Sequence, residues 1–126
     1  MDNIAKENET VYSVNQNNND ILLTVIVPCF NEINTIEKVI KKIKTSSVQD
    51  KEIIIVDDFS TDGSREYLKN FSDKKVTIKF HSRNKGKGAA IRTGIKSAKG
   101  KIIILQDADL EYDPNEFPQV IGPIID

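Results

Sequence analysis

Between Asp107 and Asp113 four carboxylates stand at every second position: Asp107, Asp109, Glu111 and Asp113. They directly follow an apolar run, "KIIIL", from Lys101 to Leu105. Negative charges this close repel one another, so solvent, a helix start or a cation must compensate them. On a straight strand Asp107, Asp109 and Glu111 would fan out along one face, about 6–7 Å per two-residue step. A chain that bends as it leaves a sheet can converge two or three of them on one ion. Carboxylate oxygens suit hard cations, Mg²⁺ or Mn²⁺, which keep positions for water and phosphate oxygens. Asp107, Asp109 and Glu111 are therefore the candidate metal ligands, with Asp107 and Asp109 the candidate catalytic pair. Asp113 reads differently: with Pro114 in the first turn and Glu116 behind it, it is the N-cap of a helix.

Two other stretches carry chemistry. "EIIIVDDFSTDGS" ends an apolar run in the pair Asp57 and Asp58. Asp58, at the tip, can accept a hydrogen bond from a ring N–H such as that of a nucleotide base, while Asp57 can orient the turn through backbone amides. Asp62 and Gly63 read as turn residues. "RNKGKG" offers glycines at Gly86 and Gly88 and cations at Arg83 and Lys87. That composition can cradle phosphate, with Lys87 as a nucleotide-binding cation, although it has neither the Walker spacing nor G-x-G-x-x-G. His81 reads as structural or solvent-exposed rather than catalytic.

These residues need elements to position them. "ILLTVIV" from Ile21, "EIIIV" from Glu52 and "KIIIL" from Lys101 are continuous apolar runs, the pattern of strands buried on both faces. "KVTIKF" (Lys75 to Phe80) alternates and predicts a more exposed strand nearer an edge. Between them, "NTIEKVIKKIK" places Ile36, Val39, Ile40 and Ile43 on one helical face, with Asn34 as the expected cap. "REYLKNF" predicts a second helix. "KGAAIRTGIKSAKG" predicts a third, packing through Ala90, Ile91, Gly94, Ile95 and Ala98, with Gly94 allowing close approach to the sheet and Gly100 as the stop. A helix from Pro114 closes the series.

Strands alternating with helices predict an α/β fold with a parallel, doubly wound, Rossmann-like sheet and right-handed crossovers. Every strand of such a sheet ends at the same rim, where ligands bind. The two acidic clusters and the Gly-Lys loop all follow strand ends, so topology alone puts them on one edge. A rim of that mixed charge suits a phosphate-bearing ligand with a divalent cation.

The bulk numbers bound the rest. The 126 residues carry 18 basic and 19 acidic side chains, which argues against nucleic acid as the main partner. Cys29 is the single cysteine, so no disulfide can staple the chain, and a reducing, cytoplasmic setting fits. Residues 1–20 are polar and asparagine-rich, without the basic start and apolar centre of a signal peptide; they are expected to be a disordered tail. Residues 21–126 are then the ordered part. The chain stops at Asp126, just inside its last helix, which reads as truncation and leaves the fourth predicted strand with an unprotected edge.

Together "VIVPCFNE", "EIIIVDDFSTDGS", "RNKGKGAAIRTGIKSAKG" and "ILQDADLEYDP" resemble family-2 glycosyltransferases of the GT-A fold, most of all the dolichyl- and polyprenyl-phosphate mannose or glucose synthases. The resemblance runs from about Leu22 to the C-terminus. It implies that Pro28, Phe30 and Glu32 border the nucleotide, with Phe30 against the base, and that Val56 and Asp58 contact the base. It implies that Asp107, Ala108 and Asp109 hold the diphosphate of the nucleotide sugar through Mg²⁺ or Mn²⁺. Glu111 stands where relatives supply a further metal ligand. The implied reaction is a metal-dependent, inverting transfer from a GDP-mannose or UDP-glucose type donor to a polyprenyl phosphate or glycan. The setting is cytoplasmic, including the cytoplasmic face of a membrane, reached only through missing regions or the lipid acceptor. This chain would carry donor binding only. The alternatives are a sugar nucleotidyltransferase-like protein, a non-catalytic nucleotide-binding fragment or interaction module, and a receiver-type signalling domain. A nucleotidyltransferase opens with a glycine-rich, arginine-bearing loop, which "PCFNE" is not; a receiver carries its acidic pair after the first strand.

Overall fold

In this computed structural model the described residues are 4–6, 9–14, 21–48 and 50–109. In chain order they form β1 (Ile4–Lys6), β2 (Glu9–Val14), β3 (Leu23–Cys29), α1 (Ile36–Lys44), β4 (Lys51–Asp57), α2 (Ser64–Lys69), β5 (Val76–Phe80), α3 (Lys87–Ser97) and β6 (Ile102–Leu105). The sheet order is β1-β2-β6-β3-β4-β5. β6, β3, β4 and β5 run parallel, and β5, the alternating strand, is the edge. From β3 onward the strand and helix order matches the expectation; the helix expected from Pro114 lies outside the described residues, with Asp113.

The runs of β-branched residues are long because both faces of the sheet are covered. Val25, Val27, Ile53, Ile55, Ile102 and Ile104 face the side of α1 and α2, where Ile36, Val39, Ile40, Ile43 and Leu68 meet them. Ile26, Ile54, Val56 and Ile103 face the other side and pack against Ala90 and Ala98 around α3. That second layer is thin because α3 meets the sheet through small residues. Of its expected face, Ala90, Gly94 and Ala98 are buried, but Ile95 is exposed, so the contact stripe is narrower than periodicity alone implies.

Gly94 is where the approach is tightest: a Cβ there would lie 2.6 Å from Ile26 Cγ2. Gly94→Ala should therefore destabilise the chain by a net of about 1–2 kcal/mol, although alanine is the better helix former. Chemical denaturation measures this, and an unchanged midpoint would show that α3 is not seated on β3.

Two expectations are corrected. The segment taken as a disordered tail contains β1 and β2, and β2 pairs antiparallel with β6 at Thr10↔Leu105, Val11↔Ile104 and Val14↔Ile102. Polar composition dominates residues 1–20, yet "ETVYSV" is rich in β-branched and aromatic residues, and an open parallel strand is a template for such a run. For the same reason the outer edge of β6 is covered rather than unprotected. The cap of α1 also differs: Thr35, not Asn34, is the N-cap, and it makes no side-chain cap bond. Its hydroxyl turns instead to the Ala108 carbonyl and to Glu32 Oε2, tying α1 to the segment after β6.

Candidate active site

The order of the strands creates the site. Crossovers carry the chain from β3 to β4 to β5, and then α3 returns it to β6 on the other side of β3. β3 and β6 thus flank the switch point, where the connections leave in opposite directions and a crevice opens. Pro28 helps to open it. β3 pairs with β6 only as far as Ile26↔Leu105, and the last bond is Gln106 N–H to the Ile26 carbonyl. Alternate residues of β3 face β6, so Pro28, which has no N–H, falls where β6 has already departed. On its other side β3 stays paired with β4 up to Cys29↔Asp57.

A cleft of about 390 Å³ occupies this crevice. Pro28, Phe30 and Glu32 line it from the end of β3, and Asp58 from the end of β4. Asp107, Ala108 and Asp109 line it from the end of β6, and Asn84, Gly86, Lys87 and Ala90 from the loop into α3. Arg83 and Gly88 of the expected phosphate cradle do not line the cleft, but of the described residues expected to touch the nucleotide sugar or the metal all but one meet in this place. The exception is Val56, whose side chain is fully buried against the α3-side core and does not line the cleft. Side chains alternate across a strand, and position 56 falls on the covered face. Glu111, the third expected metal ligand, lies outside the described residues.

Asp58 is the hub of the wall. It is 4% exposed, and Oδ1 accepts from His81 Nδ1 at 2.9 Å and from the Lys85 N–H at 2.8 Å. Oδ2 accepts from the Gly86 N–H at 2.9 Å. Burial pushes its carboxyl up, but the hydrogen bonds from Lys85, His81 and Gly86 outweigh that and hold it below the usual carboxylate range. The bonds bind the tip of β4 to the loop that carries Asn84, Gly86 and Lys87. Gly86 takes φ +96°, a conformation open to glycine, and no side chain caps α3 behind it. His81 is buried rather than solvent-exposed; Asp57 takes the Ser60 N–H and the Arg65 guanidinium.

The opposite wall is stitched from two loops. Asn31 N–H donates to Ser60 Oγ, Glu32 N–H to Ser64 Oγ and Ile33 N–H to Asp62 Oδ2. Asn31 Oδ1 accepts from the Thr61 N–H at 2.7 Å, which suits its left-handed φ of 54°. This lattice fixes where Phe30 and Glu32 leave β3. Phe30 is 45% exposed, a large apolar ring presented to the cleft rather than to the core.

Charge divides the cleft. Asp107 and Asp109 stand on the β6 side, and Lys87 reaches across to place Nζ 2.6 Å from Asp107 Oδ1. Both partners are substantially exposed, so the pair is easily exchanged for other partners. The donor set, carboxylate oxygens open to solvent on one short turn, fits a hard divalent cation. Among the described residues no group of three or more His, Cys, Asp or Glu side chains converges as a ready-made metal cage.

Residues 24–126 match the model of the glycosyl transferase family 2. The chain belongs to that family. Among relatives of this glycosyltransferase family, the undecaprenyl-phosphate 4-deoxy-4-formamido-L-arabinose transferase of Aeromonas hydrophila is 34% identical over 112 residues, covering 83% of this chain and 34% of the relative. The mannosyltransferase of Pyrobaculum calidifontis, solved in complex with GDP-Man and Mn²⁺, is 30% identical with a TM-score of 0.64, covering 75% of this chain and 29% of that one. Staphylococcus aureus TarS 1–349 has the same fold at a TM-score of 0.71 and 23% identity, covering 83% of this chain and 32% of that one. The family-2 chain described here thus spans about a third of the length of these three proteins.

Within this glycosyltransferase site, Asn84 and Ala90 also line the cleft, although the sequence marked Ala90 only for packing and Asn84 for nothing, and Asn31, Thr35, Ser60 and Ser64 act only by holding others. Their signal is positional: each lies in a loop that leaves a strand at the ligand rim, or at the start of the helix after it.

Proposed function

We propose that this chain is the donor-binding part of a glycosyltransferase that transfers a hexose-type sugar from a nucleotide diphosphate sugar. The observation that carries the reading is the single cleft at the switch point, which sets Asp107 and Asp109 opposite Lys87 and the Asp58-anchored loop. The base would lie against the exposed ring of Phe30, beside Pro28, with Asp58 within reach of its edge. The diphosphate would run past Gly86, which has no side chain to obstruct it, toward the uncapped start of α3 and Lys87.

Asp107 and Asp109, with Glu111 as the third candidate, would hold Mg²⁺ or Mn²⁺. When bound, such an ion neutralises the diphosphate as it leaves. Lys87, released from Asp107, would add positive charge on the same side, where it stabilises the departing group more than the intact donor. The transfer would be a single displacement with inversion at the sugar carbon, as the family resemblance implies. The polyprenyl-phosphate relative supports a lipid phosphate as that acceptor, and the GDP-Man and Mn²⁺ complex of the mannosyltransferase supports the donor class and the metal. No helix among the described residues is long and apolar enough to cross a membrane. In this reading the protein works on the cytoplasmic side, where it meets its lipid acceptor.

Calorimetry with UDP and GDP, each with and without Mn²⁺, tests the proposal. Mn²⁺-dependent binding of one of the two is expected. Binding of neither by a folded chain would refute it.

A further inference from the structure

We infer that His81, with Thr93 behind it, is a specificity-determining positioning residue: it saturates one oxygen of Asp58 so that the other alone meets a ring N–H of the bound base. This rests on the nucleotide reading above and narrows it to bases that carry such a group, uracil or guanine.

The geometry is a buried chain of hydrogen bonds from α3 to the cleft. A carboxylate oxygen accepts about two hydrogen bonds. Oδ1 of Asp58 already has two, from His81 Nδ1 at 2.9 Å and Lys85 N at 2.8 Å. Oδ2 has one, from Gly86 N at 2.9 Å, which leaves a single acceptor position on a cleft-lining side chain. Because ionised Asp58 only accepts, Nδ1 of His81 carries the hydrogen. In the neutral imidazole Nε2 is then an acceptor, and Thr93 Oγ1, at 2.8 Å, donates to it.

His81 cannot drift from this position. Its N–H donates to the Asp57 carbonyl at 2.9 Å, and its carbonyl accepts from Arg65 Nη1 at 3.0 Å. Backbone and ring are thus held from four directions. Without the imidazole, Oδ1 regains an open acceptor position and the carboxylate can turn. Asp58 would then still attract donors, but no longer at one defined point. A base with a ring N–H and one without, such as cytosine, would be told apart less well. That is a loss of discrimination more than a loss of affinity, because the diphosphate contacts lie elsewhere in the cleft.

The test uses the full chain and measures dissociation constants for UDP, GDP and CDP with Mn²⁺, by calorimetry. The wild type is expected to prefer UDP or GDP over CDP by about tenfold or more, the value of one well-made hydrogen bond. His81→Ala should bring that ratio close to one. Thr93→Val, which removes only the far hydroxyl and keeps the shape of the helix face, should lower it by roughly two- to fivefold. His81→Gln, with a donor and an acceptor on its amide, should restore most of it. Amide hydrogen exchange at Lys85 and Gly86 should accelerate in His81→Ala in parallel. If His81→Ala and Thr93→Val melt lower but keep the wild-type ratio, His81 is structural only and the inference falls while the nucleotide reading stands. If the wild type binds no nucleotide, both fall together.

Discussion

Arg65→Ala should cost the chain about 3–5 kcal/mol, a fall in the thermal midpoint of more than about 10 °C. The reason lies under the rim of the sheet. Asp57 ends β4 with a fully buried side chain, and Arg65 Nη1 is its counter-charge at 3.0 Å. The Ser60 N–H adds a hydrogen bond to the same oxygen at 3.1 Å, and Oδ1 has no hydrogen-bond partner among the described residues. Removing the guanidinium would leave a carboxylate in an apolar setting with one backbone donor. The guanidinium also donates to the His81 carbonyl and lies 5.4 Å and 5.0 Å from the ring centroids of Phe59 and Phe80. Its loss unties α2 from β4 and β5 at once.

A companion substitution separates the pair from its surroundings. Breaking a buried ion pair is costly because one charge stays behind; replacing both partners is far cheaper. Asp57→Asn with Arg65→Met should therefore be more stable than Arg65→Ala alone, although it removes two groups rather than one. Urea titrations of the three proteins decide the matter. If Arg65→Ala changes the unfolding free energy by less than about 1 kcal/mol, the pair is behaving as an exposed one. Phe59 adds a second consequence. It holds a left-handed φ of 67°, unfavourable for a bulky residue, and its ring faces the guanidinium. Without Arg65 that conformation loses a contact that helps maintain it.

How far the sequence carries can be argued from single residues. "ILLTVIV", "EIIIV" and "KIIIL" are readable as buried parallel strands because covering both faces of a sheet removes the usual alternation. Once they are parallel, the position of Asp58, Asp107 and Lys87 on one rim follows without coordinates. Which partner each finds there does not follow. Asp58 carries the type and place of a ligand-binding acid, yet most of its acceptor capacity is taken by His81 and two amides from a loop more than 20 residues later. Thr35 has the composition of a cap, but a carbonyl 73 residues away takes its hydroxyl. Val56 shows the opposite failure: proximity to the site in sequence says nothing about which face of the strand the side chain takes. β2 was hidden because average polarity masked six residues of strand-forming sequence whose partner, β6, lies some 90 residues on. In each case local pattern decides the element and long-range pairing decides its use.

Asp107→Asn and Asp109→Asn are expected to abolish Mn²⁺-dependent nucleotide binding, each weakening it by about 100-fold or more, while leaving the melt of the ligand-free chain unchanged or raised. The asymmetry follows from what the carboxylates do without a ligand. Asp107 is paired with Lys87, but the lysine and the aspartate side chains are 60% and 40% exposed, so water screens the pair and its loss costs the fold little. Two acids two residues apart also repel each other, and removing either charge relieves that. With a divalent ion present the sign reverses, because a hard cation needs anionic oxygen and an amide supplies a weaker donor. Lys87→Ala separates the two roles. It frees Asp107 from its ammonium partner, so Mn²⁺ alone should bind as well or better, while UDP or GDP binding in the presence of Mn²⁺ weakens by about tenfold through the lost phosphate contact. Calorimetry of Mn²⁺ alone and of nucleotide at saturating Mn²⁺ reads the two effects independently. A large drop in stability for either aspartate variant, or Mn²⁺ binding that survives both, would mean that Asp107 and Asp109 shape the turn after β6 rather than hold an ion.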